Sequence, residues 1–463
     1  MKRFFYVFTL ILLCCTFVLT ACGKKGLDDN PATDAQVSGN GGFAVVKGDY
    51  LYYTNGYDDK YTENYTTTSD NKFGSVTFGA IYRTKLSNGE VQYNEDGTLK
   101  SSQVVVSKLV GYEKGGFYIF GDYIYYGTPL MEKESSGTLR NDLVSFCRTK
   151  IDGTDTKEKL YVSTSAIDRE DWKMYSVDGN VYLVVVEDGK NIVSVEINGK
   201  GKTSKKTLVE NVASYALYEG NIDSDSTKYV YFTKELSESP YSGNQFGTVN
   251  FVTGSVENFR VSDTTYEVIA LKNHKVYYST STPIMGSEEK EVVLKYQSID
   301  TPFDTTQNNA TVFGYSAYTE YAVASYNGDI VVMRNSSENM VVRVRGVLNS
   351  HAIEASSRIV GFVGDYLYYV NSSSKLRKVQ ITYDSNQEYV SEDAFEEEKE
   401  ILTDVFDANG NNMYVFAKYT AENESTHYYL NKITGNSARF VGVFAPSHAP
   451  APLDKDSEDM WIK

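Results

Sequence analysis

Basic residues are in deficit in this sequence. Its 463 residues include 45 lysines and arginines against 61 aspartates and glutamates, which gives a formal net charge of −16. A protein that neutralises nucleic-acid phosphates needs a basic stripe, and its composition shows one. The charge balance therefore argues against a nucleic-acid partner.

Histidine and cysteine are also scarce, with four residues of each type. The histidines are His274, His351, His427 and His448, and none lies in a His-Glu-x-x-His spacing. We therefore predict no metal, no cofactor and no histidine-based catalytic site. His274 is explained by a turn between two strands, and turn chemistry also explains Asp223 and Asp225.

The first residues are typical of a bacterial export signal. Met1–Arg3 is positively charged and Phe4–Leu19 is an almost unbroken apolar run, shorter than the about 20 residues that span a bilayer. Leu19–Cys22 resembles the lipobox of bacterial lipoproteins, which implies cleavage after residue 21 and acylation (palmitate) of Cys22. We therefore expect a chain anchored by lipid to the cell membrane, on its extracytoplasmic side.

The remaining cysteine chemistry follows from this expectation. Cys14 and Cys15 would leave with the signal and Cys22 would carry lipid, so Cys147 alone cannot form an intramolecular disulfide. We predict that Cys147 is a small buried filler in a strand.

Four segments are expected along the chain. Residues 1–21 are the signal peptide, and residues 22–41 carry the lipidated cysteine and a flexible tether rich in Asp, Asn, Gly and Ser. Residues 42–444 form the folded domain, and residues 445–463 are a Pro/Ala linker with an acidic tail. The acidic domain should be repelled by anionic lipid headgroups and stand off the membrane.

One strand pattern recurs along the domain. Gly48–Tyr53 (GDYLYY) returns as Gly121–Tyr126 (GDYIYY) and as Gly364–Tyr369 (GDYLYY). Looser versions lie between and after these copies: Asp178–Leu183, Lys228–Phe232, Asn273–Tyr278, Asn327–Val332 and Gly410–Phe416. The units follow one another at roughly 50 residues, a spacing typical of propeller blades.

Each unit reads as four antiparallel strands joined by Gly/Asp/Asn turns, with no amphipathic helix between units. Tyrosine is abundant, at 39 residues, and favours strands. Both faces of the aromatic strand are apolar, as expected for a sheet sandwiched between two others. We predict an all-β fold: a single β-propeller of four-stranded blades, eight in number, or seven if the unit around Tyr229 extends its neighbour.

The GDYLYY strand followed by a hairpin such as Cys147–Thr154 resembles the tyrosine-rich β-propeller repeats of bacterial extracytoplasmic lipoproteins, a domain of unknown function. These are distantly similar to the YWTD propellers of lipoprotein receptors. The resemblance covers roughly residues 42–444 and implies an architecture, with no catalytic residues. With two tryptophans, the chain cannot supply the recurring motifs of WD repeats, sialidases or quinoproteins.

Long loops between the second and third strands of the units are the candidate binding surface, because binding concentrates on ordered loops of a rigid scaffold. The first such loop carries Tyr57, Asp58, Asp59, Tyr61 and Tyr65, and Tyr241 lies in a later one. Tyrosine beside aspartate suits sugar stacking or a protein contact. A merely tolerated polar insertion is the alternative interpretation.

Three functions remain open from the sequence. The first is a non-catalytic surface module that binds a protein or glycan. The second is a surface enzyme acting on glycans through axial carboxylates, which only spatial separation could identify. The third is a structural subunit of an envelope assembly.

Overall fold

The computed structural model describes residues 26–443 with internal gaps. The gaps are 59–71, 74–75, 78, 96–97, 113, 131, 139, 236–242, 260–263, 284, 287–289, 305–312, 315–319, 327, 335–338, 345–350, 355, 382–389, 395–405, 408–411, 421–425 and 435–436. The predicted signal, Cys22 and the tail after Phe444 lie outside the described residues. The described part of the chain has no helix long and apolar enough to cross a membrane.

The described strands form successive antiparallel sheets, here called blades 1–8 in chain order. Blade 1 contains β1 (Val37–Ser38), β2 (Ala44–Lys47), β3 (Tyr50–Thr54), β7 (Ile81–Lys85) and β8 (Gln103–Val106). Between β3 and β7 lie β4 (Tyr57–Asp58), β5 (Lys72–Phe73) and β6 (Val76–Thr77), of which β5 and β6 form a two-stranded ribbon.

Blades 2–4 each have four strands. Blade 2 contains β9 (Phe117–Phe120), β10 (Tyr123–Pro129), β11 (Val144–Lys150) and β12 (Lys157–Val162). Blade 3 follows the 3-10 turn η1 (Arg169–Asp171) and contains β13 (Trp172–Val177), β14 (Asn180–Glu187), β15 (Asn191–Ile197) and β16 (Thr203–Val209). Blade 4 contains β17 (Val212–Ala216), the 3-10 turn η2 (Ser226–Lys228), β18 (Tyr229–Lys234), β19 (Gln245–Asn250) and β20 (Val256–Phe259).

Blades 5–8 repeat the arrangement. Blade 5 contains β21 (Thr265–Lys272), β22 (Lys275–Pro283), β23 (Lys290–Ser298) and β24 (Phe313–Gly314). Blade 6 contains β25 (Glu320–Tyr326), β26 (Gly328–Arg334), β27 (Asn339–Val344) and β28 (His351–Glu354). Blade 7 contains β29 (Ser356–Val363), β30 (Tyr366–Asn371), β31 (Leu376–Gln380) and β32 (Ser391–Asp393). Blade 8 contains β33 (Phe406–Asp407), β34 (Asn412–Thr420), β35 (Thr426–Thr434) and β36 (Ser437–Phe440).

The aromatic motif forms β3, β10 and β30, and its glycine makes the turn that precedes each of these strands. Gly48, Gly121 and Gly364 have φ of +55°, +54° and +55°, in the left-handed region where a side chain is disfavoured. The motif therefore begins with glycine because this tight turn requires it.

Alternate residues of the motif pack against different neighbours. In blade 1, Tyr50 and Tyr52 belong to the cluster shared with blade 2, whereas Leu51 and Tyr53 belong to the cluster shared with blade 8. Leu51, Tyr52 and Tyr53 have no exposed area. Both faces of the strand are therefore buried, as the sequence predicts for a stacked blade.

Contacts between the first and last blades close the ring. Phe43 at the start of blade 1 packs edge-on against Phe416 of blade 8, with ring centroids 4.8 Å apart. Strand β4 also pairs with β35 of blade 8. The all-β propeller is confirmed, and β17–β20 around Tyr229 form a sheet of their own, so that unit is not an extension of its neighbour.

A cation lies over the first tyrosine of each close copy of the motif. The Arg83 guanidinium is 5.0 Å from the Tyr50 ring centroid, and the Arg148 guanidinium is 4.2 Å from that of Tyr123. Arg148 then donates to the carbonyls of Asn198 (3.4 Å) and Gly199 (3.1 Å) in the third-to-fourth-strand turn of blade 3. A residue within one blade thus links it to the next.

Residues 27–41, here called the N-terminal clasp, differ from the flexible tether expected from their composition. Arg83 donates to the carbonyl of Asp28 (2.6 Å) and to the side chain of Asn30, and the amide of Leu27 donates to the carbonyl of Asp152 in blade 2 (2.9 Å). At the junction of blades 2 and 3, Arg148 contacts the turn of the next blade directly. At the junction of blades 1 and 2, the clasp lies between Arg83 and the turn of blade 2 and links the two.

The second half of the clasp lines the axis. Its strand β1 pairs with β2, and Asn40 exchanges hydrogen bonds with the backbone of Ile119 in β9 (2.6 and 3.2 Å). The amide of Gly41 donates to the carbonyl of Phe117 (3.0 Å). These bonds satisfy backbone groups on the inner edge of the ring that would otherwise lack partners.

Candidate functional site

A cavity of about 950 Å³ lies at the centre of the ring. First strands of neighbouring blades contact one another, as in β2 with β9 and β25 with β29, which places these strands around the axis. The cavity wall combines residues of β9, β13 and β29, the loop after β17, and the clasp. The site is therefore assembled from segments far apart in the sequence.

Three tyrosines give the cavity a rigid aromatic wall. Tyr118, Tyr175 and Tyr218 line it and are almost fully buried. The Tyr175 hydroxyl donates to the carbonyl of Tyr218 at 2.8 Å, and burial raises the pKa of Tyr175 well above its ordinary value. The Tyr175 phenol is therefore neutral near neutral pH, and the three rings offer aromatic surface to a ligand.

The charged residues of the wall have mixed sign. Lys47, Arg169 and Lys173 line the cavity together with Asp34, Glu170 and Glu219. Burial lowers the pKa of Lys47, whose ammonium donates to the carbonyl of Thr33 at 2.8 Å. The mixture favours a polar ligand over a purely apolar one.

Several of these charges have structural partners. The Arg169 guanidinium donates to the carbonyl of Gly41 and lies 5.2 Å from the Trp172 ring centroid. Glu219 lies 3.9 Å from the Lys272 ammonium. Among the described residues, no group of three or more His, Cys, Asp or Glu is arranged to hold a metal ion.

Of the loop residues singled out from the sequence, only the backbone of Tyr57 and Asp58 lies in the described part of the chain. Tyr57 and Asp58 form β4, paired with Tyr428 and His427 of blade 8. Asp59, Tyr61, Tyr65 and Tyr241 lie outside the described residues, so their proposed ligand-binding role stays a prediction. Cys22 lies outside as well.

The residues that line the cavity are not among the candidates predicted from the sequence. The strongest sequence signal for the cavity wall is a group of charged residues at an inner strand. Arg169–Asp171 comes directly before β13, and Lys173 lies within this otherwise mostly buried strand. Cys147, by contrast, is 1% exposed and packs between blades 1 and 2. Burial raises the pKa of its thiol, which confirms its predicted role as a small core residue.

His274 forms a cluster between blades 4 and 5. Its Nε2 lies 2.9 Å from a carboxylate oxygen of Asp223, and its Nδ1 lies 3.0 Å from one of Asp300. Hydrogen bonds that the ring donates to Asp300 and Asp223 raise the pKa of His274. The pKa of Asp223 is lowered mainly by the bond to His274, and that of Asp300 by bonds to Ser226 and His274. Both ring nitrogens donate when the imidazolium forms.

We expect His274→Asn to lose stability in a pH-dependent way. Asparagine tolerates the positive φ of this turn position, +54°. The imidazolium contribution is present below its unfolded pKa near 6.5 and is lost as pH rises through the higher folded value. The contribution of the carboxylates is present above 3.8 and is lost on acidification.

The difference in unfolding free energy between wild type and His274→Asn should therefore be larger at about pH 5.5 than at about pH 8.5, although below about 1 kcal/mol because the cluster is partly exposed. Urea unfolding at the two pH values measures it. An equal difference at both would show that the cluster does not change charge in this range.

Comparisons with known proteins give architectural neighbours of low identity. No family model matches the sequence, and no curated protein matches it. The β-propeller domain of the Trilobed protease from Pyrococcus furiosus is 9% identical, with 74% of this chain and 99% of that chain covered and a TM-score of 0.41.

Two further solved structures are similar at the same level. Apo AztD from Citrobacter koseri is 10% identical, covering 79% of this chain and 93% of that chain, with a TM-score of 0.36. BamB from Moraxella catarrhalis is 8% identical, covering 73% and 95%, with a TM-score of 0.37. At this level nothing about the function of these proteins is carried over to this chain.

Proposed function

We propose that this chain is a lipid-anchored β-propeller on the extracytoplasmic side of the cell membrane that binds a protein segment or glycan and performs no chemistry on it. The anchor is supported by the apolar run Phe4–Leu19 and by the lipobox-like Leu19–Cys22. Binding is supported by the axial cavity described above. The resemblance to tyrosine-rich propellers of lipoproteins agrees with the anchor.

The cavity is the observation that carries the binding function. At about 950 Å³ it lies at the upper end of the size range of ligand sites. Its wall is built from hydrogen-bonded strands of several blades, so it is preorganised and loses little entropy when a ligand enters. Phenol rings and charges of both signs suit the hydroxyl and amide groups of a glycan or peptide.

The bonds of the ionisable wall residues favour binding over catalysis. Arg169 and Lys47 each donate to a backbone carbonyl, and Glu219 is close to Lys272. These groups hold the clasp and the blade junctions in place. The carboxylates Asp34 and Glu170 also line the cavity, and the glycan-active alternative would depend on them.

Ser176→Trp tests whether ligand enters the cavity. Ser176 lies on inner strand β13, is exposed and lines the cavity, so an indole there fills ligand space without displacing buried side chains. Capture of ligand from envelope extracts and on a glycan array should fall at least about tenfold, equivalent to 1.4 kcal/mol.

The matched control is Ser204→Trp, because Ser204 is exposed on the outer strand β16 of the same blade. This variant should capture ligand as wild type does. Equal capture by wild type and Ser176→Trp would show that the ligand does not bind in the axial cavity. It would favour the long loops that carry Tyr57 and Tyr241 as the binding site. A captured glycan that is shortened during incubation would favour the enzyme alternative.

A further inference from the structure

We propose that a lysine patch on blades 2 and 3 docks on anionic lipid headgroups, so that this propeller is held to the membrane by one defined face. The patch comprises Lys157, Lys200, Lys202 and Lys206. The inference deepens the proposed lipid-anchored function, since it assigns which face of the ring meets the membrane. It runs against the repulsion expected from the net charge of −16.

The patch lies on the third-to-fourth-strand hairpin of blade 3 and beside it. Lys200, Lys202 and Lys206 are exposed. Lys157 of β12 donates to the carbonyl of Lys200, and Lys206 donates to the carbonyl of Thr253 in blade 4 at 2.9 Å. None of the four forms an ion pair with a described carboxylate, so their positive charges are not neutralised within the described structure.

The hairpin that carries the patch is held rigidly. The side chain of Asn198 accepts from the amides of Lys200 and Lys202, both at 3.0 Å. Arg148 of blade 2 donates to the carbonyls of Asn198 and Gly199. The exposed ammonium groups therefore project from a fixed platform and lose little backbone entropy on docking.

The patch is on the face where the chain enters the fold. In an antiparallel blade, the turns between strands one and two and between strands three and four lie at the same end. Here that end includes the turns at Gly121, Asp152 and Asn198, and we call it the short-turn face. Leu27 bonds to Asp152 on this face, and the next blade's turn carries the lysines.

The position of the clasp limits the distance to a lipid. The chain between Cys22 and Leu27 spans at most about 18 Å when fully extended. A lipid on Cys22, as in the proposed function, would therefore hold the short-turn face of blades 1–3 close to the headgroups. One acyl attachment combined with a basic patch is the two-signal arrangement that gives stable anchoring.

Local charge decides the sign of the interaction at this distance. Fields of charges further than about 8–10 Å from the headgroups are largely screened at physiological ionic strength. Asp152 and Asp155 share the blade 2 turn, where Asp152 accepts from Thr154 and Asp155 from Tyr123. The first-to-second-strand turns of the same face carry Asp122 and Asp178, nearer the axis. On the outer hairpins of blades 2 and 3, the four lysines outnumber Asp152, Asp155 and Glu196, which lies opposite Ser204, so the patch is positive although the whole chain is acidic.

Vesicle sedimentation tests the patch without the lipid anchor. The chain from Gly26 to Lys463 keeps every described residue, and a cooperative thermal transition confirms its folding first. We expect it to bind phosphatidylcholine vesicles only when they contain phosphatidylglycerol. The double variant Lys200→Gln/Lys202→Gln should weaken this binding about fivefold for each lysine neutralised.

The matched control is Lys133→Gln/Lys190→Gln, which removes two exposed lysines from second-to-third-strand loops at the opposite face. It should bind as wild type does. Equal loss in both double variants, or binding that does not depend on phosphatidylglycerol, would overturn the proposal. Binding to dextran sulfate but not to the vesicles would also overturn it, in favour of an anionic polymer.

The lipid anchor is read separately. Incorporation of radioactive palmitate by the full chain, compared with Cys22→Ala, reports on acylation alone. Absence of label would remove the anchor from the proposed function while leaving the vesicle result standing. If the wild-type chain takes up label but its vesicle binding does not depend on the lysines, the anchor stands and the lysine patch is overturned.

Discussion

Replacing Phe43 by alanine is expected to lower the free energy of unfolding by about 3–5 kcal/mol, the usual cost of removing a buried aromatic ring. Phe43 is 1% exposed and packs against Phe416 across the junction of the first and last blades. The loss falls at the point where the ring closes, which no covalent bond secures. The midpoint and slope of a urea unfolding curve measure it.

Two further variants make this result specific. Met285→Ala changes a fully exposed side chain (103% exposed) and should alter the unfolding free energy by less than about 0.5 kcal/mol. Phe43→Ala and Phe416→Ala should cost less together than the sum of their separate effects, because the rings contact each other. Additive effects, or a loss below about 1 kcal/mol for Phe43→Ala, would contradict closure through this pair.

Arg83→Ala is the second variant for which we expect a large effect, about 3 kcal/mol of unfolding free energy, because several hydrogen bonds to a buried charged group are lost at once. Arg83 is 1% exposed. It holds Asp28 and Asn30 of the clasp, and also contacts Gln103 at 3.2–3.3 Å and the Tyr50 ring. Loss of these bonds releases the clasp from blade 1.

A coupled truncation distinguishes loss of the clasp from loss of local packing. In a chain that begins at Pro31 the acceptors on Asp28 and Asn30 are absent, so Arg83→Ala should cost markedly less there than in the chain from Gly26. Proteolysis near residue 30 should also accelerate in Arg83→Ala. An equal cost in both chains would show that Arg83 acts through Tyr50 and Gln103 alone.

The fold could be predicted because each blade carries the same local sequence signals. The glycine of the motif marks a turn that needs positive φ, and the alternation of Tyr52 with Tyr53 marks a strand buried on both faces. These are local signals, so three near-copies suffice to define the unit. The contacts between blades then follow from stacking similar units, as the shared clusters show.

The clasp and the cavity could not be predicted because their partners are distant in sequence. Residues 27–41 have the composition of a flexible linker, and their order depends on Arg83 and Asp152, which only the closed ring brings near. The cavity likewise joins Tyr118, Tyr175 and Tyr218 from three blades. A tether and an ordered clasp have the same local sequence, so pattern alone favours the tether.

The clasp also determines how mechanical load enters this molecule. A pull on the chain before Gly26 acts first on the bonds of Leu27, Asp28 and Asn30, and then on the short pairing of β1 with β2. The strands that close the ring, β4 with β35, lie on a different path. Tension on the amino end would therefore detach the clasp and lengthen the free chain before the propeller opens. The clasp would thus protect the ring from mechanical unfolding.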